Sequence, residues 1–190
     1  MKRFIPLALA LALALPFSAT AADTFVLDPT HTFPTFEISH LGFSTHRGRF
    51  NSTSGKAVLD VPAKSGSIEV VIEVASIDTG GEKLETHLKA EDFFYAEKYP
   101  TMTFKSDKLK FEGDNLVGAD GALTLRGVTQ PVSLAVQNFK CGAHPFNKKA
   151  MCGANVTTTI KRSDFGMKYG LPAAVGDEVK IAIQIEAYKQ

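Results

Sequence analysis

Apolar residues recur at every second position through much of this chain. Over 67–74, Ile68, Val70, Ile72 and Val74 share a face opposite Glu69 and Glu73, and near the C-terminus Val179, Ile181, Ile183 and Ile185 alternate with Lys180, Gln184 and Glu186. Over 33–42, Phe36, Ile38 and His40 point one way while Thr35, Glu37 and Ser39 point the other. A period of two means a strand with one buried and one wet face, the habit of antiparallel sheet. Further runs over 48–61, 101–111, 115–126, 132–139 and 155–162 bring the total to about eight strands, a barrel or a sandwich. Lys64-Ser65-Gly66, Glu112-Gly113-Asp114 and Gly127 read as turns between them. Within 101–111 the apolar parity changes between Phe104 and Leu109, which predicts a bulge or turn near Ser106 and Asp107.

One segment departs from the pattern. Leu84, His87 and Leu88 fall at helical spacing, Asp92 then resembles an N-cap for a short turn through Phe93, Phe94 and Tyr95, and Pro100 ends the excursion. This reads as a short helical lid between two strands of one domain.

The N-terminus has the layout of a secretory signal peptide: Lys2 and Arg3, an apolar run over 4–17, and the small residues of 18–22. The run is too short to cross a bilayer. Residues 1–22 are therefore expected to be removed, with cleavage after Ala21 or Ala22, leaving a single domain over 23–190 outside the cytoplasm with no integral membrane segment. Loss of Lys2 and Arg3 takes the charge balance from 21 cations against 20 anions to 19 against 20. Such a near-neutral chain has no electrostatic draw toward nucleic acid or an anionic membrane. In an oxidising compartment the two cysteines, Cys141 and Cys152, are expected to pair, stapling the Gly-, Pro- and Asn-containing loop 142–151.

No HExxH, GxSxG, phosphate-binding loop, GxGxxG or cysteine–histidine cluster is present. His31, His40, His46, His87 and His144 are scattered, and neither His40 nor His87 has a partner at metal-ligand spacing, so no metal or cofactor is expected and His40 reads as a satisfied polar group near the core. Asn51-Ser52-Thr53 and Asn155-Val156-Thr157 match the glycosylation sequon, a match that short sequences produce by chance. The aromatic set is skewed, with 14 Phe, 4 Tyr and no Trp. Inward parity or the lid holds Phe36, Phe50, Phe93, Phe94, Phe104 and Phe165, and either a packed core or an apolar cavity would account for them.

The stretches HTFPTFEISHLGFSTHRGRF (31–50), IDTGGEKLETHLKAEDFFYAEKYPTMTFKS (77–106), GALTLRGVTQPVSL (121–134) and IKRSDFGM (160–167) resemble the YceI-like family of exported bacterial proteins, in order and spacing. The resemblance implies an all-β fold: a lipocalin-like, eight-stranded antiparallel β-barrel with a short helical lid segment, in the periplasm, whose apolar pore holds a polyisoprenoid or isoprenoid-quinone-type amphiphile. Carried over by position, His31, Phe36, Ile38 and His40 lie on the family's first strand, with Phe43 and Phe50 following. The lid supplies His87, Leu88, Lys89, Asp92, Phe93 and Phe94. Ile72, Met102, Phe104, Leu123 and Leu125 line the barrel, and Phe165 and Met167 lie near its other end. Leu84-Glu85 stands where many members have Arg-Asp, which removes an arginine contact to a head group.

These residues imply a binding protein for storage or transport of a long-chain isoprenoid lipid or quinone. Each buried five-carbon unit contributes up to ~4 kcal/mol, so the tail dominates affinity and the head adds little. The alternative is an enzyme of isoprenoid-quinone or lipid metabolism using His40 or His87 as a base. A third reading is a scaffold whose partner is a membrane cytochrome, and a homodimer of barrels is a further partner expectation.

Overall fold

The alternation of Val179, Ile181, Ile183 and Ile185 becomes one of the long walls of a closed barrel in the computed structural model, which describes residues 22–190. The expected signal peptide falls, but for Ala22, outside the described residues. In chain order the elements are β1 (Asp23–Leu27), β2 (Phe33–His40), β3 (Ser44–Phe50), β4 (Thr53–Asp60), β5 (Ser65–Glu73), β6 (Ile77–Asp78), α1 (Glu82–Lys89), β7 (Thr101–Glu112), β8 (Asn115–Leu125), β9 (Val128–Ala143), β10 (Ala150–Lys161) and β11 (Val175–Lys189). Single 3₁₀ turns occupy Val74–Ser76 and Arg162–Phe165.

Hydrogen bonding runs β1-β4-β5-β7-β8-β9-β10-β11 and returns from β11 to β1, so eight antiparallel strands close on themselves. Closure leaves no free edge in the ring, which removes the template for edge-to-edge aggregation. The other three segments extend the wall at one end: β2 continues along β11 beyond β1, with Leu27 opposite Ala187 and Phe33 opposite Gln184, and β3 and β6 follow in order.

The run expected over 48–61 is two strands, because the chain bends at Asn51 and Ser52 where the backbone is tied to the neighbouring 3₁₀ turn. Asn51 N–H donates to Ser76 O (3.0 Å), and Ser52 N–H donates to Ser76 Oγ (3.0 Å). β1 was not foreseen, since five residues carry too little alternation to stand out. It also displaces His31, expected on the first strand, into the exposed turn between β1 and β2.

The expected bulge is found where β7 shifts register on β8 between Lys105 and Lys108. Ser106 fills the gap: its Oγ donates to Asp120 O (2.8 Å) and accepts from Lys108 N–H (3.1 Å). The turn expected at 64–66 lies slightly earlier, with Lys64 at φ 52° and Ser65 already in β5. Arg126 and Gly127, at φ 52° and 72°, make the two-residue turn between β8 and β9 in the left-handed geometry that matches strand twist. Residues 91–94 and 96–98 form successive turns, in line with the short turn expected through Phe93, Phe94 and Tyr95. Cys141 and Cys152 are paired across β9 and β10 and joined by a disulfide.

Candidate functional site

Whether the inward side chains make a packed core or a hollow is decided by their exposure. Phe36, Ile38, Ile72, Ile181 and Ile183 all face into the barrel, yet each is only half-buried, because it borders empty space instead of another side chain. The space is a cavity of about 420 Å³. Its wall is almost wholly aliphatic and aromatic, as the period of two requires when one parity from every strand converges on the axis.

The two ends differ. At one end Phe25, Leu27, Leu59, Cys152 and Ala187 pack into a cluster no more than 7% exposed, so the pore is blind beside the disulfide. At the other, the wall consists of His40 and His46 from β2 and β3, Leu84 and His87 from α1, and Tyr169, which is 48% exposed. The rings of His40 and His46 stack at 4.3 Å, whereas His87 meets Phe93 edge-on at 4.9 Å and Tyr169 at 5.4 Å. Each imidazole thus lies against its own aromatic neighbours. Among the described residues, the group of three that brings ligand atoms together is Asp28, His31 and Glu186, outside the pore.

The lid is held by two side chains. Arg126 Nη1 reaches from the β8–β9 turn to donate to Glu91 O (2.9 Å) and to Phe93 O. Glu85 Oε1 accepts from the N–H groups of Thr79 (2.9 Å) and Gly81 (3.2 Å), so the residue that stands in place of a family aspartate ties down the loop ahead of α1. Leu84 and Leu88 then face the pore. Phe94 packs against Phe50, and Phe50 against Phe36, at centroid distances of 5.5 and 6.0 Å.

A glycine keeps the pore open. Gly48 lies opposite Phe36 in the β2–β3 ladder, and a Cβ there would stand 2.5 Å from the ring. Without it the Phe36 ring lies against the strand.

Phe36, Ile38, His40, Phe50, Ile72, His87, Leu88, Phe93, Phe94, Met102, Phe104, Leu123, Leu125 and Met167 all reach the cavity wall. Two expected residues do not. Phe43 is 94% exposed, because the chain turns at Leu41 and Gly42, both at positive φ, and strand parity ends there. Phe165 is 2% exposed and packs behind the wall with Val74, Ile77 and Phe93, since the 3₁₀ turn rotates it off the axis.

Three buried polar residues on the wall, Thr32, Thr53 and Arg162, escaped sequence reasoning. Arg162 is 2% exposed and donates to four backbone carbonyls: Nε to Gly176 (2.7 Å), Nη1 to Met167 (3.1 Å), and Nη2 to Tyr169 (2.8 Å) and Val175 (3.0 Å). Burial lowers its pKa, which the charge of Asp177 opposes. Asp177 is itself fixed by Ser163, whose N–H (2.9 Å) and Oγ (2.8 Å) donate to its two oxygens. The available signal was the alternation Val156, Thr158, Ile160, Arg162, which puts the arginine on the inward parity. Thr53, also 2% exposed, has no partner for its Oγ1, an omission that costs about 1–3 kcal/mol.

Comparison with known proteins agrees with this architecture. Residues 25–187 match the model of the YceI-like domain. A UPF0312 protein of Vibrio vulnificus is 36% identical over 169 residues, covering 87% of this chain and 88% of that protein. The crystal structure of Burkholderia cenocepacia BcnA superposes with a TM-score of 0.70 at 28% identity, over 84% of this chain and 98% of that one. A domain from Saccharophagus degradans, described as polyisoprenoid-binding and implicated in plant cell wall breakdown, shares the fold with a TM-score of 0.67 at 19% identity, over 87% of this chain and 98% of that one. The chain belongs to the YceI-like domain family.

Proposed function

We propose that this protein holds a polyisoprenoid, or an isoprenoid-quinone-type amphiphile, in its barrel for storage or transport through the periplasm. The observation that carries the reading is the cavity of about 420 Å³ whose wall is built from half-buried aliphatic and aromatic side chains. An apolar hollow closed at one end and open between aromatic residues at the other suits a long apolar chain with one polar end. Each five-carbon unit that enters contributes up to ~4 kcal/mol, so about five units reach the ceiling on non-covalent affinity before chain ordering is subtracted. The fold likeness to the Saccharophagus polyisoprenoid-binding domain supports the same class of ligand.

Binding without catalysis is favoured by the placement of the imidazoles. The histidine held by a carboxylate is His31, at 2.8 Å from Asp28, and it lies outside the pore. A carboxylate partner of that kind is one way a catalytic imidazole has its tautomer fixed.

The test is mass spectrometry of lipid extracted from the protein purified out of its native host, together with N-terminal sequencing of the mature chain. A polyprenyl lipid at close to one per protein is expected, recovered unaltered after incubation, on a chain that begins at Ala22 or Asp23. Protein that carries no lipid and takes up no polyprenyl probe would overturn the reading, and recovery of chemically changed lipid would favour the enzyme.

A further inference from the structure

Buried polar side chains on the cavity wall fall into two kinds. Thr32 and Arg162 are satisfied by the protein's own backbone: Thr32 Oγ1 donates to Glu186 O and accepts from Glu186 N–H, both at 3.2 Å, and every nitrogen of the Arg162 guanidinium donates to a carbonyl. Thr53 is the exception. Its hydroxyl has no partner although the residue is 2% exposed, and buried polar groups in folded proteins are nearly always bonded.

The position of Thr53 says what could satisfy it. It opens β4 and lies in one cross-strand row with Ile72 and Met102, partway down the pore between Phe50 on the mouth side and Leu59 at the blind end. Water is a poor partner there, because a buried water needs two to four polar neighbours and this row offers only the threonine. A valine would fill the same volume, so packing alone gives no reason for the hydroxyl. The Oγ1 is itself out of solvent contact, and a rotation of about 120° at χ1 carries it to the place of the methyl or of the hydrogen, the movement that turns the hydroxyl to the pore.

We infer that Thr53 is the specificity contact of the pore: it hydrogen-bonds a neutral oxygen function, a carbonyl or hydroxyl, on the bound lipid. The inference rests on the lipid-carrier reading above and narrows it to a ligand class. Neutral oxygenated prenyl lipids are selected over plain hydrocarbons, and also over prenyl phosphates. A phosphate at this depth would need a buried cation. The guanidinium of Arg162 is committed to carbonyls. Arg47 and Lys56, which also touch the wall, are exposed and ion-paired with Glu37 and Glu69.

The experiment titrates the delipidated mature chain with four probes: a four-isoprene alcohol, the matching methyl ketone, the parent hydrocarbon and the alcohol's monophosphate. Wild type is compared with Thr53→Val, Thr53→Ser and Thr53→Ala. Wild type should bind the alcohol and ketone about five- to tenfold more tightly than the hydrocarbon, and more tightly than the monophosphate. Valine should bring the alcohol-to-hydrocarbon ratio to about one and serine should keep most of it. If the valine protein fails to fold, alanine supplies a second protein without the hydroxyl, read through the same ratio. A preference that survives loss of the hydroxyl, or a monophosphate that binds as tightly as the alcohol, overturns the role of Thr53 while leaving lipid carriage standing. Failure of all four probes to bind overturns both.

Discussion

Replacing Arg162 by methionine removes the one buried guanidinium on the cavity wall without leaving a large void, and its cost can be worked from the bonds it makes. Four carbonyls, those of Met167, Tyr169, Val175 and Gly176, lose a charged donor at 2.7–3.1 Å. Bonds to a charged group are worth about 1.5–3 kcal/mol each, but they share one side chain and are not additive. Carbonyls near the mouth also regain water when the 3₁₀ turn and the approach to β11 loosen. The net loss expected is therefore that of breaking a buried charged network, about 3–5 kcal/mol. In a domain of this size that lowers Tm by roughly 6–20 °C. Urea unfolding followed by circular dichroism measures it, as a fall in midpoint at unchanged slope. Arg162→Lys should recover less than half, because an ammonium is a point donor and cannot span four carbonyls as a planar fork does. A methionine variant within about 0.5 kcal/mol of wild type, or a lysine that restores full stability, would refute the view that this side chain holds the mouth segment together.

Four further outcomes are expected. The Cys141→Ser/Cys152→Ser double variant should lose about 3 kcal/mol, the loop-closure value for a sequence separation of 11, and an unchanged urea midpoint would count against it. Gly48→Ala should drive the Phe36 ring off its strand, costing about 1–3 kcal/mol and reducing the lipid that co-purifies; full occupancy at full stability would show that the ring has room elsewhere. Hydrogen bonds from His31 and Thr30 lower the Asp28 pKa to about 2, and the same bond, donated to the Asp28 carboxylate, raises that of His31 above 6.5. The aspartate's contribution is thus present above its unfolded pKa of 3.8 and lost as pH falls toward 2, while the histidine's is present below 6.5 and lost as pH rises through its higher folded value. Tm should accordingly be greatest between those limits, and His31→Asn should flatten the decline on the alkaline side; an identical profile in the variant would exclude the pair as its cause. Finally, Arg126→Asn keeps a residue tolerant of positive φ but releases Glu91 O and Phe93 O, so hydrogen exchange over 91–99 should quicken at little cost in global stability, and unchanged exchange would mean that the lid is held by its apolar contacts alone.

Where sequence reasoning succeeded, the physics was local. A β-branched run such as Val179–Ile185 with charged neighbours has one stable habit, and the parity jump in β7 has one common cause, so both the strand and the bulge at Ser106 were legible. Where it failed, something distant intervened. Phe43 and Phe165 were carried over by position from the family pattern, but the chain leaves strand geometry at the Leu41–Gly42 turn and in the 3₁₀ turn over 162–165, which turn both rings away from the pore. Arg162 was passed over because an arginine is usually at the surface. Its burial depends on carbonyls 5 to 14 residues away that meet only when the mouth segment folds back. Thr53 sat inside a chance glycosylation match, and nothing adjacent in the chain marks its hydroxyl as unpaired.

By itself, then, the order of residues determined that strands form, which face of each is apolar, where the lid interrupts them, and that the cysteines would pair. The first three follow from period, propensity and turn chemistry, which act over a few residues, and the pairing from an even cysteine count in an exported chain. Only the tertiary structure decided that the apolar faces enclose a hollow and do not fill it, because a cavity is a mismatch between the circumference set by eight hydrogen-bonded strands and the volume of the side chains turned inward. That balance is struck among residues from every strand at once, and no stretch of sequence contains it.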